Sequence, residues 1–222
     1  MKAKELRAKD DQALGKELDE LLRAGIDGWT HPIGDLPIDD ELLGLLKERP
    51  GIWYIPAITP TLSGGSTPRA AGERPAWLAD PLLNEIKCPG YLDQWGANFE
   101  KNRRVPGPGG GLGVQNVKRL YDAGVRIALG SHDAGGPRPI GWGTHMELEA
   151  FVDWVGMTPA AALMSATSAS SQALGLQEVL GTISTGKSAD FVVLDANPLD
   201  DIRNMRSIES VWVGGKEVPR AR

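Results

Sequence analysis

Cysteine and histidine are scarce in this sequence of 222 residues, which contains one cysteine and three histidines. The single thiol, Cys88, cannot form an intramolecular disulfide, and a zinc site built from four cysteines is excluded. The sequence also lacks a run of about 20 apolar residues, the length that spans a bilayer. Its first eleven residues are highly charged and have no apolar core, so they do not form a secretory signal.

Positive charge is not in excess either, because the net charge is −5. We therefore expect neither nucleic acid nor a membrane surface as a partner. Hydrophobic residues at 41% and charged residues at 24% are typical of a globular domain. The expected partner is a small-molecule substrate. The sequence identifies no compartment, and the cytoplasm is only a default expectation.

What is present is an alternation of helical and strand-like segments. Leucines 14, 18, 21 and 22 lie on one helical face, and Gly25 ends that helix before a short apolar run. The same order of helix and strand recurs twice, which favours parallel βα units. The predicted pairs of helix and strand are 14–22 with 26–30, 39–50 with 52–55, and 114–121 with 125–130.

Residues 60–113 interrupt this alternation with segments rich in glycine and proline. A long insertion after a barrel strand is usually a lid or a substrate loop, and a poorly ordered surface excursion is the alternative. Further helices are predicted at 147–155 and 159–174.

The end of the sequence has a different character. Short strand-like runs at 191–194 and 210–213 are separated by Asn197-Pro198, and a Gly-Gly turn follows the second run. We therefore predict two domains, with βα units in 1–178 and a small β-module in 179–222.

Polar residues follow the first and third predicted strands at their C-terminal ends, where parallel βα barrels place their active sites. His31 follows the first strand, and His132 and Asp133 follow the third. Imidazole and carboxylate groups both suit zinc, and such a metal can activate water. Two ligands are too few for a closed site, so a histidine that only forms a hydrogen bond at a strand end remains the alternative.

Four segments together resemble the amidohydrolase superfamily, closest to its imidazolonepropionase-like and Xaa-Pro dipeptidase-like branch. The segment Gly181-Thr-Ile-Ser-Thr-Gly-Lys-Ser-Ala-Asp190 is similar to the closing signature of that family. The helix that begins with Met157-Thr-Pro-Ala resembles the one after its eighth strand. Residues 24–31 and 127–135 resemble its sixth and eighth strands. The resemblance covers about 26–60 and 114–218.

The resemblance implies an α/β fold, namely the C-terminal part of a (β/α)8 TIM-type barrel with the C-terminal strands of a small β-sandwich. It also implies hydrolysis of a C–N bond in an amide, cyclic amide or peptide-like substrate, with one or two divalent metal ions, zinc being expected. By the same resemblance, His31 and Asp133 are metal ligands and Asp133 is the catalytic group. His132, which has no counterpart in the family pattern, is predicted to contact substrate or a water molecule near the metal, and Asp133 is favoured over it as the catalytic group. His145 lies where a helix is predicted to start, so capping of that helix is expected ahead of contact with substrate.

The sequence departs from the family pattern in two respects. It has no His-x-His pair and no counterpart of the strand-five histidine, and it reads Gly-Ser-His-Asp where the family usually has Gly-Ser-Asp. We therefore expect a fragment that lacks the N-terminal half and most metal ligands. The alternative is a non-catalytic remnant, or a subunit that completes its barrel with a partner chain or self-associates as a homo-oligomer.

Overall fold

Helices and strands alternate along the first part of the chain, as the leucine spacing predicts. The computed structural model describes residues 14–58, 111–132 and 141–219. The predicted insertion at 60–113 therefore lies outside the described residues, except for the first turn of one helix. Up to residue 127 the elements are α1 (Leu14–Ala24), β1 (Gly28–Thr30), α2 (Asp40–Lys47), β2 (Trp53–Ile55), α3 (Gly111–Asp122) and β3 (Arg126–Ile127).

The three strands form a parallel sheet in the order β1-β2-β3, which confirms the predicted α/β class. Asp39 caps α2 as its sequence position predicts, because its side chain accepts a hydrogen bond from the Leu42 N–H. The third strand is shorter than the predicted 125–130. The Ala128 N–H still donates to the Tyr54 carbonyl, but the Leu129 N–H donates to the Ser165 carbonyl, so the chain leaves the sheet there.

One face of this sheet is buried and the other is open. Trp29 and Tyr54 lie on the buried face and stack with ring centroids 4.5 Å apart. On the opposite face Thr30 is exposed and Trp53 is only half-buried. The Arg126 guanidinium lies 3.7 Å from the centroid of the Trp53 ring on that side. The helices therefore cover one side of the sheet.

The helices after residue 140 differ from the prediction in two places. The first begins at Trp142 instead of residue 147, runs to Ala150 as α4, and continues as one π-helical turn, Phe151–Val155. The predicted helix 159–174 is interrupted at Thr167, where ψ is −91°, and forms α5 (Pro159–Ala166) and α6 (Ser168–Ala173). None of the described helices is long and apolar enough to cross a bilayer.

The C-terminal strands form a separate antiparallel sheet, as the sequence predicts. Its strands are β4 (Phe191–Leu194), β5 (Ile208–Val213) and β6 (Lys216–Glu217), with β5 in the centre. Phe191 stacks on Trp212 with centroids 5.6 Å apart. Within residues 172–219, Ile202 is nevertheless the only buried residue. Both faces of this sheet are therefore at least partly open to solvent. The domain boundary near 178 stays a prediction.

An ion-pair cluster joins the C-terminal sheet to α4. A 3₁₀ helix, Ile202–Arg206, precedes β5 and carries two arginines. Arg206 donates to the nearly buried Glu149 carboxylate, and its guanidinium lies over the Trp142 ring at 4.9 Å. Arg203 contacts Asp153 at 2.5 Å from a more exposed position. Burial raises the pKa of Glu149, although both arginines act to lower it.

We predict that Arg206→Ala lowers the free energy of unfolding by about 3 kcal/mol, because it leaves the carboxylate of Glu149 buried without its principal partner. Arg203→Ala is the matched control and should cost no more than about 1 kcal/mol, since the side chain of Arg203 is 43% exposed. Urea denaturation followed by circular dichroism measures both values. Equal losses in the two variants would show that Arg206 is not the critical member of this cluster.

Candidate functional site

The three strands of the parallel sheet end at one edge, and the segment that follows each strand contains a residue with positive φ. His31 directly follows β1 with φ of 72°, and its N–H donates to the Ile55 carbonyl at 3.0 Å. Ala57 follows β2 with φ of 45°, and His132 follows β3 with φ of 51°. Residues with a side chain rarely adopt this conformation, and such residues cluster at functional sites. The strand ends therefore define a candidate site.

The structure brings His31 and His132 together at this edge, although β2 separates their strands in the sheet. Their ring centroids are 4.8 Å apart, and the ring planes are inclined by 62°. Gly130 allows this approach, because a Cβ atom there would lie 2.5 Å from Cγ2 of Ile55. Asp133, the predicted catalytic residue and metal ligand, lies outside the described residues.

His145 lies inside α4 and does not cap it, which corrects the expected capping role. The helix begins three residues earlier at Trp142, and its N-cap residue is Gly141, with φ of 90° and no side-chain capping bond. The His145 ring is half-buried and lies 5.9 Å from the Trp142 ring. Its predicted contact with substrate stays a prediction.

A buried asparagine on α3 holds the loop that follows His31. Asn116 is 3% exposed; its Oδ1 accepts from the Ile38 N–H at 3.0 Å, and its Nδ2 donates to the carbonyls of Ile33 and Leu36 at 2.8 and 2.7 Å. This role of Asn116 was not predicted from the sequence. Its position on the apolar face of α3, between Gly113 and Leu120, was the available signal, because a polar residue there must find partners in the core.

A buried glutamate on α4 holds the turn that follows β2 in a similar manner. Glu147 is fully buried, and its Oε1 accepts from the Ile58 N–H at 2.7 Å, one residue past Ala57. Burial, and secondarily the nearby Glu147, raises the pKa of Tyr54. From the sequence, Glu147 was predicted only as the start of a helix. The signal that was missed was a carboxylate between the buried apolar residues Met146 and Leu148.

The donor set of the described residues fits part of a metal site. Neutral imidazole nitrogens suit zinc and other late transition metals, and His31 and His132 place two such rings side by side. Among the residues that the structure describes, no group of three or more histidine, cysteine, aspartate or glutamate side chains could hold an ion. A complete site therefore requires a ligand from elsewhere, and Asp133 is adjacent in sequence.

Comparison with known proteins identifies relatives of this chain. A sequence model of the amidohydrolase family matches residues 102–218, which confirms the resemblance seen in the sequence. Ochratoxinase of Aspergillus niger is 40% identical over 99 residues, which are 42% of this chain and 19% of that protein. Imidazolonepropionase of Geobacillus kaustophilus is 33% identical over 107 residues, or 46% of this chain and 25% of that protein.

The fold is shared with solved structures as well. A crystal structure of a Xaa-Pro dipeptidase with bound methionine superposes with a TM-score of 0.61 at 24% identity. The superposition covers 91% of this chain and 42% of the dipeptidase chain. This likeness supports the α/β fold. The chain therefore spans less than half of that structure, and a quarter or less of the two curated relatives.

We predict that Asn116→Asp destabilises the protein by about 2–3 kcal/mol, because a carboxylate keeps the shape of the amide but cannot donate to two buried carbonyls. The signals of the His31 ring in two-dimensional NMR spectra should shift at the same time, since its loop loses those bonds. Lys118→Ala on the exposed side of α3 is the control and should cost less than about 0.5 kcal/mol. Unchanged His31 signals in a destabilised Asn116→Asp variant would refute the link to the site.

Proposed function

Because the chain belongs to the amidohydrolase family, we propose that it forms part of a metal-dependent hydrolase that cleaves the C–N bond of an amide, cyclic amide or peptide-like substrate. The observation that carries this proposal is the meeting of His31 and His132 at the C-terminal ends of parallel strands. That edge is where parallel βα barrels place their catalytic groups. The names of the relatives, ochratoxinase, imidazolonepropionase and Xaa-Pro dipeptidase, support the same class of chemistry.

The fold that accompanies this function is, in our proposal, the C-terminal part of a (β/α)8 TIM-type barrel. Three parallel strands with helices on one face support it, since barrel helices surround the strands. Residues 179–222 would then contribute their strands to a small β-sandwich. An antiparallel sheet without a covered face supports this second part, because a sandwich covers one face of each sheet.

His31 and Asp133 would hold the divalent metal ion, with zinc expected. A bound zinc ion polarises a scissile carbonyl and lowers the pKa of an attacking water. In this role His31 has to keep a fixed position, and two features of the structure hold it there. Its backbone N–H continues the ladder to β2, and Asn116 holds the loop that follows it.

The proton transfers fall to Asp133 in this proposal. Its carboxylate accepts a proton from the attacking water and returns it to the leaving nitrogen, so that the amine departs neutral. His145 is retained as a contact for the substrate. The described residues do not identify one substrate within the amide class.

In the hydrolase of which this chain forms part, we predict that Asp133→Asn lowers turnover of N-acyl amino acids or Xaa-Pro dipeptides by about 10³-fold or more while zinc content is retained. The amide oxygen can still bind the metal, but the amide cannot accept the proton. His31→Ala should lose both zinc and turnover. The experiment uses the purified hydrolase that contains this chain, with added zinc, and it measures released amine and bound metal. Asp122→Asn, on the surface of α3, serves as the control. Near-normal turnover in Asp133→Asn would remove the assignment.

A second candidate function is that of a subunit that works only with a partner polypeptide or a second copy of itself. The open side of the parallel sheet favours it, since parallel sheets are normally covered on both faces. Exposed apolar side chains support it further. Leu174 is 72% and Ile183 is 89% exposed, and both line a groove of about 640 Å³ between α6 and the C-terminal sheet.

For this candidate we predict that the isolated chain self-associates and binds the dye ANS, because water would otherwise contact these apolar surfaces. The double variant Leu174→Gln with Ile183→Gln should bind less ANS and associate more weakly. Arg23→Gln, an exposed change on α1, is the control. Sedimentation velocity measures the association state. A monomeric wild-type chain with a cooperative thermal transition would reject the candidate.

A further inference from the structure

We propose that His132 is a second imidazole ligand and shares with His31 one late transition-metal ion. This inference rests on the proposed function for the location of the metal. It differs in its ligand set, because the resemblance supplies only His31 and Asp133 as ligands, and His132 has no counterpart in the family pattern. Binding of an ion by two imidazoles is measurable without hydrolysis, so the two proposals fail separately.

The separation of the rings fits a shared ion. A zinc–nitrogen bond of about 2.0–2.1 Å places each ring centroid roughly 3.2 Å from the metal. Two rings bound at a tetrahedral angle then have centroids about 5 Å apart. The observed 4.8 Å corresponds to a slightly smaller angle at the metal. The inclination of 62° also excludes a parallel stack, in which the two faces would leave no room for an ion.

The backbone holds both histidines at this edge. His31 is fixed by its hydrogen bond to Ile55 at 3.0 Å, and its loop is held by Asn116. His132 follows Gly130, whose missing side chain lets the exit of β3 pass against Ile55. His31 and His132 both have positive φ, in the segments that follow β1 and β3. Two ligands held in advance lose little conformational freedom on binding an ion.

The chemistry of the pair selects the class of metal. Two imidazole nitrogens favour Zn²⁺, Co²⁺, Ni²⁺ and Cu²⁺ over Mg²⁺ and Ca²⁺, which prefer oxygen ligands. A histidine directly before Asp133 also places an imidazole and a carboxylate on consecutive residues. This is the residue by which the sequence departs from the family pattern. A ligand role explains why that departure lies beside His31 in space.

The test is zinc titration of the full chain by isothermal calorimetry, with Mg²⁺ as the comparison ion. We expect one Zn²⁺ per chain, no measurable Mg²⁺ binding, and a loss of about 100-fold in zinc affinity for both His132→Ala and His31→Ala. In the double variant, the loss of zinc-binding free energy should not exceed the sum of the losses in the two single variants. Asp122→Asn, on the exposed surface of α3, is the control and should bind zinc as the wild type does.

A spectroscopic measurement guards against a folding artefact. Electron spin-echo modulation of the Cu²⁺-loaded chain should show two coupled imidazoles in the wild type and one in His132→Gln, which retains a polar side chain. Circular dichroism confirms that each variant is folded. Wild-type zinc affinity and two imidazoles in the His132 variants, with affinity lost in His31→Ala, would overturn this inference and leave the proposed function standing. Absence of zinc binding in the wild-type chain would also overturn this inference, and the proposed function, which concerns the larger hydrolase of which the chain forms part, would stand.

Discussion

Parallel pairing of β2 with β1 on one side and β3 on the other is the constraint on which the candidate site depends. Parallel strands end at the same edge of a sheet, so residues that are 101 positions apart, His31 and His132, come within ring contact. The hydrogen bond from His31 to Ile55 carries the pairing past the last regular strand residue. If β2 shifted its register by one residue, the buried face would exchange Tyr54 for Trp53 and the edge would no longer align.

Two buried polar side chains transmit this constraint from the helices to the loops. Asn116 holds the loop after β1, and Glu147 holds the turn after β2. Both residues lie on helices that pack against the buried face of the sheet. The strained backbone at His31 and Ala57 therefore has support from a side chain in the interior. The turns at the candidate site are therefore held by buried side chains of the helices that cover the sheet.

Much of the fold could be predicted from the sequence, because local patterns specify it. The spacing of leucines predicted α1, and Asp39 predicted the start of α2. The predicted Gly-Gly turn lies between the paired strands β5 and β6. The errors came from interactions between distant segments. The hydrogen bond from the Leu129 N–H to the Ser165 carbonyl ends β3 early, and no local sequence pattern predicts it. For the same reason the sequence placed His31 and His132 at one edge but could not pair Asn116 with Ile33.

The sequence separations between the residues that these hydrogen bonds join also influence the order of folding. The C-terminal sheet pairs Phe191 with Trp212, whereas Asn116 closes a loop of 78 residues to Ile38 and Glu147 one of 89 to Ile58. Loop closure of that length is entropically slower than hairpin formation. On a ribosome the turn after β2 gains its hydrogen bond to Glu147 only after α4 has emerged.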